Sequence, residues 1–491
     1  MARPCNRHRR ARHLRAHRRS WPVLSNPGQR PGRCGFIASR DDRHARRGET
    51  AAMGLSQSWA ATALETTIPS LFSRNADEHP EHPALTDHRG GGTRTWTWGQ
   101  AGTEVETIAA GLCALGLQRG QTMLTMMSNR AEHWLADVAA THLGAVPATV
   151  RGNHAGDHVL YLARHSRARV VVVEGADQVG RWSSALREPT AIEHVVVLDR
   201  AAVPSGDPRF LTWEALLSHG RRLLAEDRAI VARHRESLTP DRPATILYTT
   251  ERAREHECVV LTHRNVGYAA AALEHITGIP RHANTICYRP LTDAADRMLG
   301  MYSAIHGASH VHLCADAAHA ATALPELRPA AFFGAPRVWA ELAADAESVA
   351  PHRPATAQAR QRLRARLGLG DVVWASSGPA PLEPGVLDLF ASLGVDIRQS
   401  WGTAETSGFA TANHAGASRP GTAGRGMPGV EVRIADDGEI LVRGPVVCPG
   451  HLQPDGVIKP ATDAEGWLRT GDAGSLDDDG FLVVTHRANP G

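Results

Sequence analysis

Lysine is almost absent from this chain. Of its 54 basic residues, Lys459 is the sole lysine, so a mechanism that needs a lysine must use that one or borrow one from a partner. Arginine usage this strong points to a GC-rich coding sequence. Cysteine is sparse: the 7 cysteines are scattered with no CxxC pair, which suggests neither a disulfide framework nor a zinc site and fits free thiols in a reducing cytosol. No apolar run approaches the ~20 residues that span a bilayer. No apolar segment of the secretory type follows the basic N-terminus. No GxGxxG follows a strand-like run, which argues against a dinucleotide-dependent oxidoreductase.

What is present is a soluble globular composition over 491 residues, long enough for two or three domains with a sizeable core. The net charge of +3 hides an asymmetry: residues 1–50 carry 14 arginines against three carboxylates, so +11, and the remainder is about −8. Three readings of residues 1–52 stand. Translation starts at Met53, where composition becomes ordinary. Alternatively, the segment is a basic arm for nucleic acid or anionic lipid, or a transit peptide lacking the usual serines and amphipathic helix. From Thr66 strand-like and helix-like segments alternate. Trp96–Trp98 is expected as a short strand. Val105, Ile108, Ala109 and Leu112 fall on one helical face. Thr122–Met127, Val170–Val173 and Val195–Leu198 read as strands, and Glu132–Leu143 and Val179–Leu186 as helices. That rhythm predicts βαβ units and a mostly parallel sheet. From Arg419 the texture shifts to glycine turns and short alternating strands, the pattern of an antiparallel β subdomain.

The stretch from Pro243 to Asn265, PATILYTTERAREHECVVLTHRN, organises the rest. A buried strand (Ala244–Tyr248) precedes nine mostly polar residues and a second apolar run (Cys258–Leu261), and Asn265 is placed to cap the helix after it. The stretch resembles the AMP-forming acyl-CoA synthetases of the adenylate-forming superfamily, which carry YTSGTTGRPKGVVLTHRN here. The flanks match. Where the family has a Gly/Ser/Thr-rich phosphate loop with a lysine, this chain has Thr249, Thr250, Glu251, Arg252, Ala253, Arg254, Glu255, His256 and Glu257. Such loops need glycines so that backbone N–H groups can approach the anion. This one offers two threonine hydroxyls and three basic side chains against three carboxylates. Accumulated substitutions or two compensating frameshifts would each produce it. By itself the segment also reads as a charged hairpin loop.

Further motifs follow in the family's order. YRPLTDAADRMLGMY (Tyr288–Tyr302) and FFGAPRVWAEL (Phe332–Leu342) resemble the long-chain branch, with Arg289 at an apolar position and Asp293 at a histidine position. A carboxylate at Asp293 is expected to disfavour an apolar tail in a nearby acyl channel. ASSGPAP resembles the adenine-binding turn, which implies that Ser377, Gly378 and Pro379 line the base. QSWGTAETSG resembles the YGxTE motif: Trp401 replaces the tyrosine that stacks on adenine, Gly402 keeps the turn, Glu405 would hold Mg2+ through hard oxygen coordination, and Ala404 replaces the threonine that contacts the α-phosphate. GWLRTGDAGSLDDDGFLVVTHR (Gly466–Arg487) matches the segment whose aspartate, here Asp472, accepts from both ribose hydroxyls, and whose arginine, here Arg487, contacts ribose or phosphate. A glycine turn, a tryptophan-capped turn and a TGD turn are the plain structural readings of the last three.

The resemblance covers about Thr66 to Arg487. It implies an α/β fold: doubly wound αβα subdomains over 53–418, a small β-barrel-like subdomain over 419–485, and the beginning of a hinge at 486–491. The family's further α+β domain, with its catalytic lysine, lies outside this sequence. The implied function is a long-chain fatty-acid–CoA ligase using ATP, Mg2+ and CoA, with Thr249, Thr250 and Glu405 in the catalytic set and AMP as a product. Removing one transition-state donor typically costs about 3–4 kcal/mol, and several are replaced here, so weak or no activity is expected. A non-catalytic nucleotide or acyl binder and a decaying gene product are the alternatives. A nucleic-acid binder depends on translation starting at Met1. Fatty acid and nucleotide are the expected partners, without a specific nucleic acid, in the cytosol with peripheral membrane contact.

Overall fold

The computed structural model describes residues 59–89, 92–249, 258–350, 352–378 and 382–487, except for the side chains of His486 and Arg487. The basic segment 1–52 lies outside these residues.

Two nine-stranded sheets carry the chain. In spatial order the first runs Arg425–Gly426, Thr411–Ala412, Ile397–Trp401, Trp374–Ser377, Ala331–Gly334, Asn284–Cys287, His310–Leu313, Pro83–Asp87 and Arg94–Thr97. The second runs Ile458–Pro460, Gly450–Leu452, Cys258–Thr262, Pro243–Tyr248, Val146–Thr149, Thr122–Met126, Val170–Val173, His194–Val197 and Phe210–Thr212. The strands at the centre of each pair in parallel, as the βαβ rhythm requires, and the antiparallel pairs lie toward the edges.

The run Val170–Val173 shows why these strands are apolar throughout. Successive side chains point to opposite faces. Val170 and Val172 join a central core with the helices Trp98–Ala114, Ala131–His142 and His263–Thr277. Val171 and Val173 join an outer core with Leu162 and Trp182. A sheet covered on both faces gives a continuous hydrophobic run rather than alternation. The first sheet is covered likewise: Phe332, Trp339 and Phe390 form the outer core on its other side.

Two expectations shift at helix starts. The strand expected at Trp96–Trp98 ends at Thr97, because Thr97 and Gln100 form a capping box that starts a helix at Trp98, whose ring is fully buried. The helix near Asn265 begins at His263 with Thr262 as its cap; Asn265 sits in the first turn and its Oδ1 accepts from the Thr262 backbone N–H at 3.0 Å.

A small four-stranded antiparallel sheet, Glu431–Ile434, Glu439–Arg443, Leu468–Leu476 and Leu482–Arg487, follows in the β-rich region. The hairpin Gly450–Pro460 leaves that sheet and extends the second large one, with His451 opposite Val259. Among the described residues no helix is long and apolar enough to cross a membrane.

Candidate active site

Parallel strands leave their carboxyl ends facing one crevice, the usual ligand position in open α/β sheets. Here Arg289, Phe333, Gly378 and Trp401 lie at or just beyond four such ends, and Tyr248 and Thr249 arrive from the second sheet. With Glu405 and Asp472 they wall a cleft of about 650 Å³. The cleft therefore brings together Thr249, Gly378, Trp401, Gly402, Glu405 and Asp472. Ser377 ends the strand before Gly378 with its hydroxyl buried, and it is not among the cleft-lining residues. Thr250 and Pro379 lie outside the described residues. The backbone of Arg487 pairs with that of Asp472 across the small sheet.

The turn after Trp401 is built on close backbone approach. A Cβ on Gly402 would stand 2.7 Å from the Gly408 carbonyl carbon, and Gly408, at φ +89°, packs so tightly on Ala295 that a Cβ would meet its nitrogen at 2.7 Å. Thr406 is consumed by this turn: its hydroxyl accepts from the Thr403 N–H at 2.8 Å. It is fully buried, so it does not stand in for the threonine replaced by Ala404.

Two carboxylates point at the cleft with partners that no local motif announces. The Trp401 indole N–H donates to Asp472 Oδ2 at 2.9 Å. His451 Nε2 lies 3.4 Å from Glu405 Oε1. Burial pushes the Glu405 carboxyl up, but the hydrogen bond from His451 leads the contacts that outweigh it, so the group is held below its ordinary value and stays ionised. An ionised hard-oxygen donor facing a polar cleft fits Mg2+, which is usually bound by one or two carboxylates and by substrate phosphates. No motif signals His451. It reaches the site because its hairpin pairs with Cys258–Thr262.

Two ion pairs mark the other end of the cleft. Arg151 pairs with Asp293 at 2.6 Å, and Arg289 with Asp296 at 2.9 Å. The second pair is not aligned for a hydrogen bond, and burial pushes the Asp296 carboxyl up to about 7 despite Arg289. Arg289, Asp296 and Phe333 also line the mouth of a second, narrow cavity of about 50 Å³ walled by Leu273, Ile286 and Trp374. Asp293 lines the larger cleft, where it pairs with Arg151, and not this narrow cavity. The carboxyl group at the apolar mouth is that of Asp296 instead.

The α/β crevice thus gathers a tryptophan bonded to an aspartate and an ionised glutamate on one cleft. A family model described as AMP-binding enzyme matches residues 72–452. The chain is 31% identical over 375 residues to a Mycobacterium tuberculosis H37Rv protein provisionally named fatty-acid–CoA ligase fadD11, covering 69% of this chain and 61% of that protein. It is 24% identical over 491 residues to the long-chain-fatty-acid–CoA ligase ACSBG2 of Xenopus laevis, covering 90% of this chain and 66% of that protein. The chain thus spans 61% and 66% of the length of these two relatives. The inhibitor-bound N-terminal domain of FACL13 from Mycobacterium tuberculosis shares the fold with a TM-score of 0.68 at 20% identity, over 86% of this chain and 100% of that one. The chain belongs to the AMP-binding enzyme family, and these curated relatives are fatty-acid–CoA ligases.

Proposed function

We propose that the cleft binds an adenine nucleotide, with Trp401 beside the base, Asp472 accepting from the ribose hydroxyls and Glu405 holding Mg2+ against phosphate oxygens. The narrow cavity beyond Arg289, Asp296 and Phe333 receives the tail of a carboxylic acid, in keeping with the fatty-acid–CoA ligases among the relatives. The observation that carries this reading is the convergence of Trp401, Glu405 and Asp472 on one cleft that opens toward an apolar cavity.

The reaction of such a site is acid activation. A carboxylate oxygen attacks the α-phosphorus of ATP, the bond to the bridging oxygen breaks and pyrophosphate leaves. The thiol of CoA then attacks the acyl carbonyl, AMP departs with the carboxylate oxygen, and the thiol proton is released. In this chain Arg289 and Arg151 are the cations at the cleft end where the carboxylate would enter. Activity is weak or absent on this reading, because residues 249–257 hold no glycine or lysine and three glutamates, and Ala404 offers no hydroxyl. The same substitutions support a second reading, a nucleotide and acyl binder without turnover. Cytosolic residence with peripheral membrane contact accompanies either.

The test is release of AMP and pyrophosphate by the full chain given ATP, Mg2+ and palmitate, with Asp472→Ala as control. Palmitate-dependent release that vanishes in the control establishes turnover. Absence of release, with AMP binding by titration calorimetry that Asp472→Ala weakens about ten- to hundredfold, establishes the binder. AMP binding that Asp472→Ala leaves unchanged sinks both.

A further inference from the structure

Outside the cleft, three histidines meet. His79 closes the C-terminal end of the helix Ile68–Glu78, His82 follows in the next turn, and His282 comes from the loop between the helix His263–Thr277 and the strand Asn284–Cys287. One ring nitrogen of each lies within 4.8 Å of the other two, and among the described residues no other trio of His, Cys, Asp or Glu comes together this way. The His82 and His282 rings stack at 4.3 Å, and His79 meets His282 edge-on at 4.5 Å.

The backbone fixes each of them. The His79 N–H donates to the Asn75 carbonyl at 2.9 Å, His82 N–H to the His79 carbonyl at 3.1 Å, and Trp98 N–H to the His82 carbonyl at 2.9 Å. His282 is held at φ +60°, in the left-handed region, by an N–H donated to the Gly307 carbonyl at 3.0 Å. Its Nδ1 lies 3.2 Å from the Ala308 carbonyl. A carbonyl only accepts, so Nδ1 carries the proton and Nε2 presents a lone pair. A ring N–H given to a backbone carbonyl is also the usual outer support of a metal-ligating histidine.

We propose that His79, His82 and His282 form a site for a divalent transition metal of the zinc type, with a fourth position open to water. Imidazole suits Zn2+, Cu2+ and Ni2+ rather than Mg2+ or Ca2+, which take oxygen. Metal–nitrogen bonds of about 2.0–2.1 Å place the nitrogens of a tetrahedral site roughly 3.4 Å apart. The ring nitrogens lie within 4.8 Å of one another, and the near-parallel His82 and His282 rings would turn to bring them to that spacing when the ion binds. His82 is exposed and the other two are half-buried, so the ion has an entry path. Nothing in the nucleotide cleft uses these residues. A bound ion would clip the turn at 79–82 to the loop at 282, which are distant in sequence, and so favour the folded chain by mass action.

The test uses the full chain without an affinity tag, stripped by chelator and titrated with Zn2+. We expect one tight equivalent that Mg2+ does not displace. His79→Ala should weaken it at least tenfold, as should His282→Asn, chosen because asparagine tolerates the left-handed backbone. The double variant should lose that equivalent while its circular dichroism and AMP titration stay as in the unaltered chain. A stoichiometric Zn2+ site of unchanged affinity in the double variant overturns the proposal, as does the absence of any tight equivalent in the unaltered chain. A measurement independent of variants is the electron paramagnetic resonance spectrum of one equivalent of Cu2+: coupling to three nitrogens supports the site, and coupling to one or none removes it.

Discussion

Trp401 occupies a position where the family carries a tyrosine, and the exchange alters what the ring can do. A tyrosine ring offers a face and a hydroxyl. The indole offers a face and an N–H, and here that N–H is donated to Asp472 Oδ2. The contact orients the carboxylate in the cleft. Trp401→Phe keeps a stacking face and deletes the donor, so AMP affinity should fall by no more than about tenfold, less than in Asp472→Ala. Equal affinities for Trp401→Phe and the unaltered chain, measured by calorimetry, would show that the indole bond positions nothing. Asp296 carries the second prediction at this scale. Its folded value of about 7 stands above the ordinary carboxylate value, so the folded state binds the proton more tightly between about 4 and 7. Its contribution to stability is therefore complete at low pH and is lost as pH rises through that window. His133 and His142, pushed by burial down to about 4, and His263, down to about 3, act in the opposite sense. They cost stability as pH falls below their unfolded value near 6.5. Asp296→Asn should thus raise the urea midpoint at pH 8 and make the loss between pH 7 and pH 4 steeper. A pH profile parallel to that of the unaltered chain would refute the assignment of a raised value to Asp296.

Helix starts and hairpin pairings are the element-scale features that position the site, and they differ in how far the sequence discloses them. The alternation of apolar runs with one-faced helical patterns was enough to read the βαβ rhythm, because buried parallel strands and amphipathic helices leave distinct periods. The cleft residues Trp401, Glu405 and Asp472 were legible from their strings. His451 was not, because its place depends on a hairpin pairing with a strand nearly two hundred residues earlier, and pairing between distant strands leaves no local period. Asn265 was half legible. Its side chain does serve the helix start, but Nδ2 also donates to the carbonyls of Pro445 and Val447, each at 2.8 Å. Those bonds tie the first turn of the helix to the segment between the small sheet and the hairpin that brings His451. Asn265→Ala removes them together with the bond to Thr262 and should cost about 2–3 kcal/mol in urea unfolding. Thr262→Ala, which loses the cap alone, should cost about 1 kcal/mol. If the two variants cost the same, the bonds to Pro445 and Val447 contribute nothing.

At the scale of the whole molecule, one buried ion pair joins the layers. Asp137 on the central helix Ala131–His142 pairs with Arg297, and both side chains are 1% exposed. Arg297 also donates to the Tyr302 hydroxyl at 2.9 Å and to Thr149 Oγ1 at 3.2 Å, at the end of a strand in the second sheet. His133 Nε2 shares that threonine at 3.0 Å. Burial works against the Arg297 charge and the Asp137 carboxylate more than restores it. The segment that carries Arg297, Ala294 to Tyr302, contributes Ala294, Ala295 and Asp296 to the cleft and Leu299 and Gly300 to the narrow cavity. The pair therefore anchors the wall shared by the cleft and the narrow cavity to the sheet behind it. Its worth is asymmetric. Removing one partner strands a charge in the core and should cost about 3–5 kcal/mol, whereas replacing both by apolar residues of similar size is often neutral. Asp137→Leu and Arg297→Met should each lower the urea midpoint sharply, and the double variant should recover most of that loss. Recovery of stability without recovery of AMP affinity is the expected pattern, because the apolar pair restores packing but not the bonds to Thr149 and Tyr302 that set the position of the wall. A double variant no more stable than either single one would show that the pair stabilises the fold outright and is not chiefly a device of position.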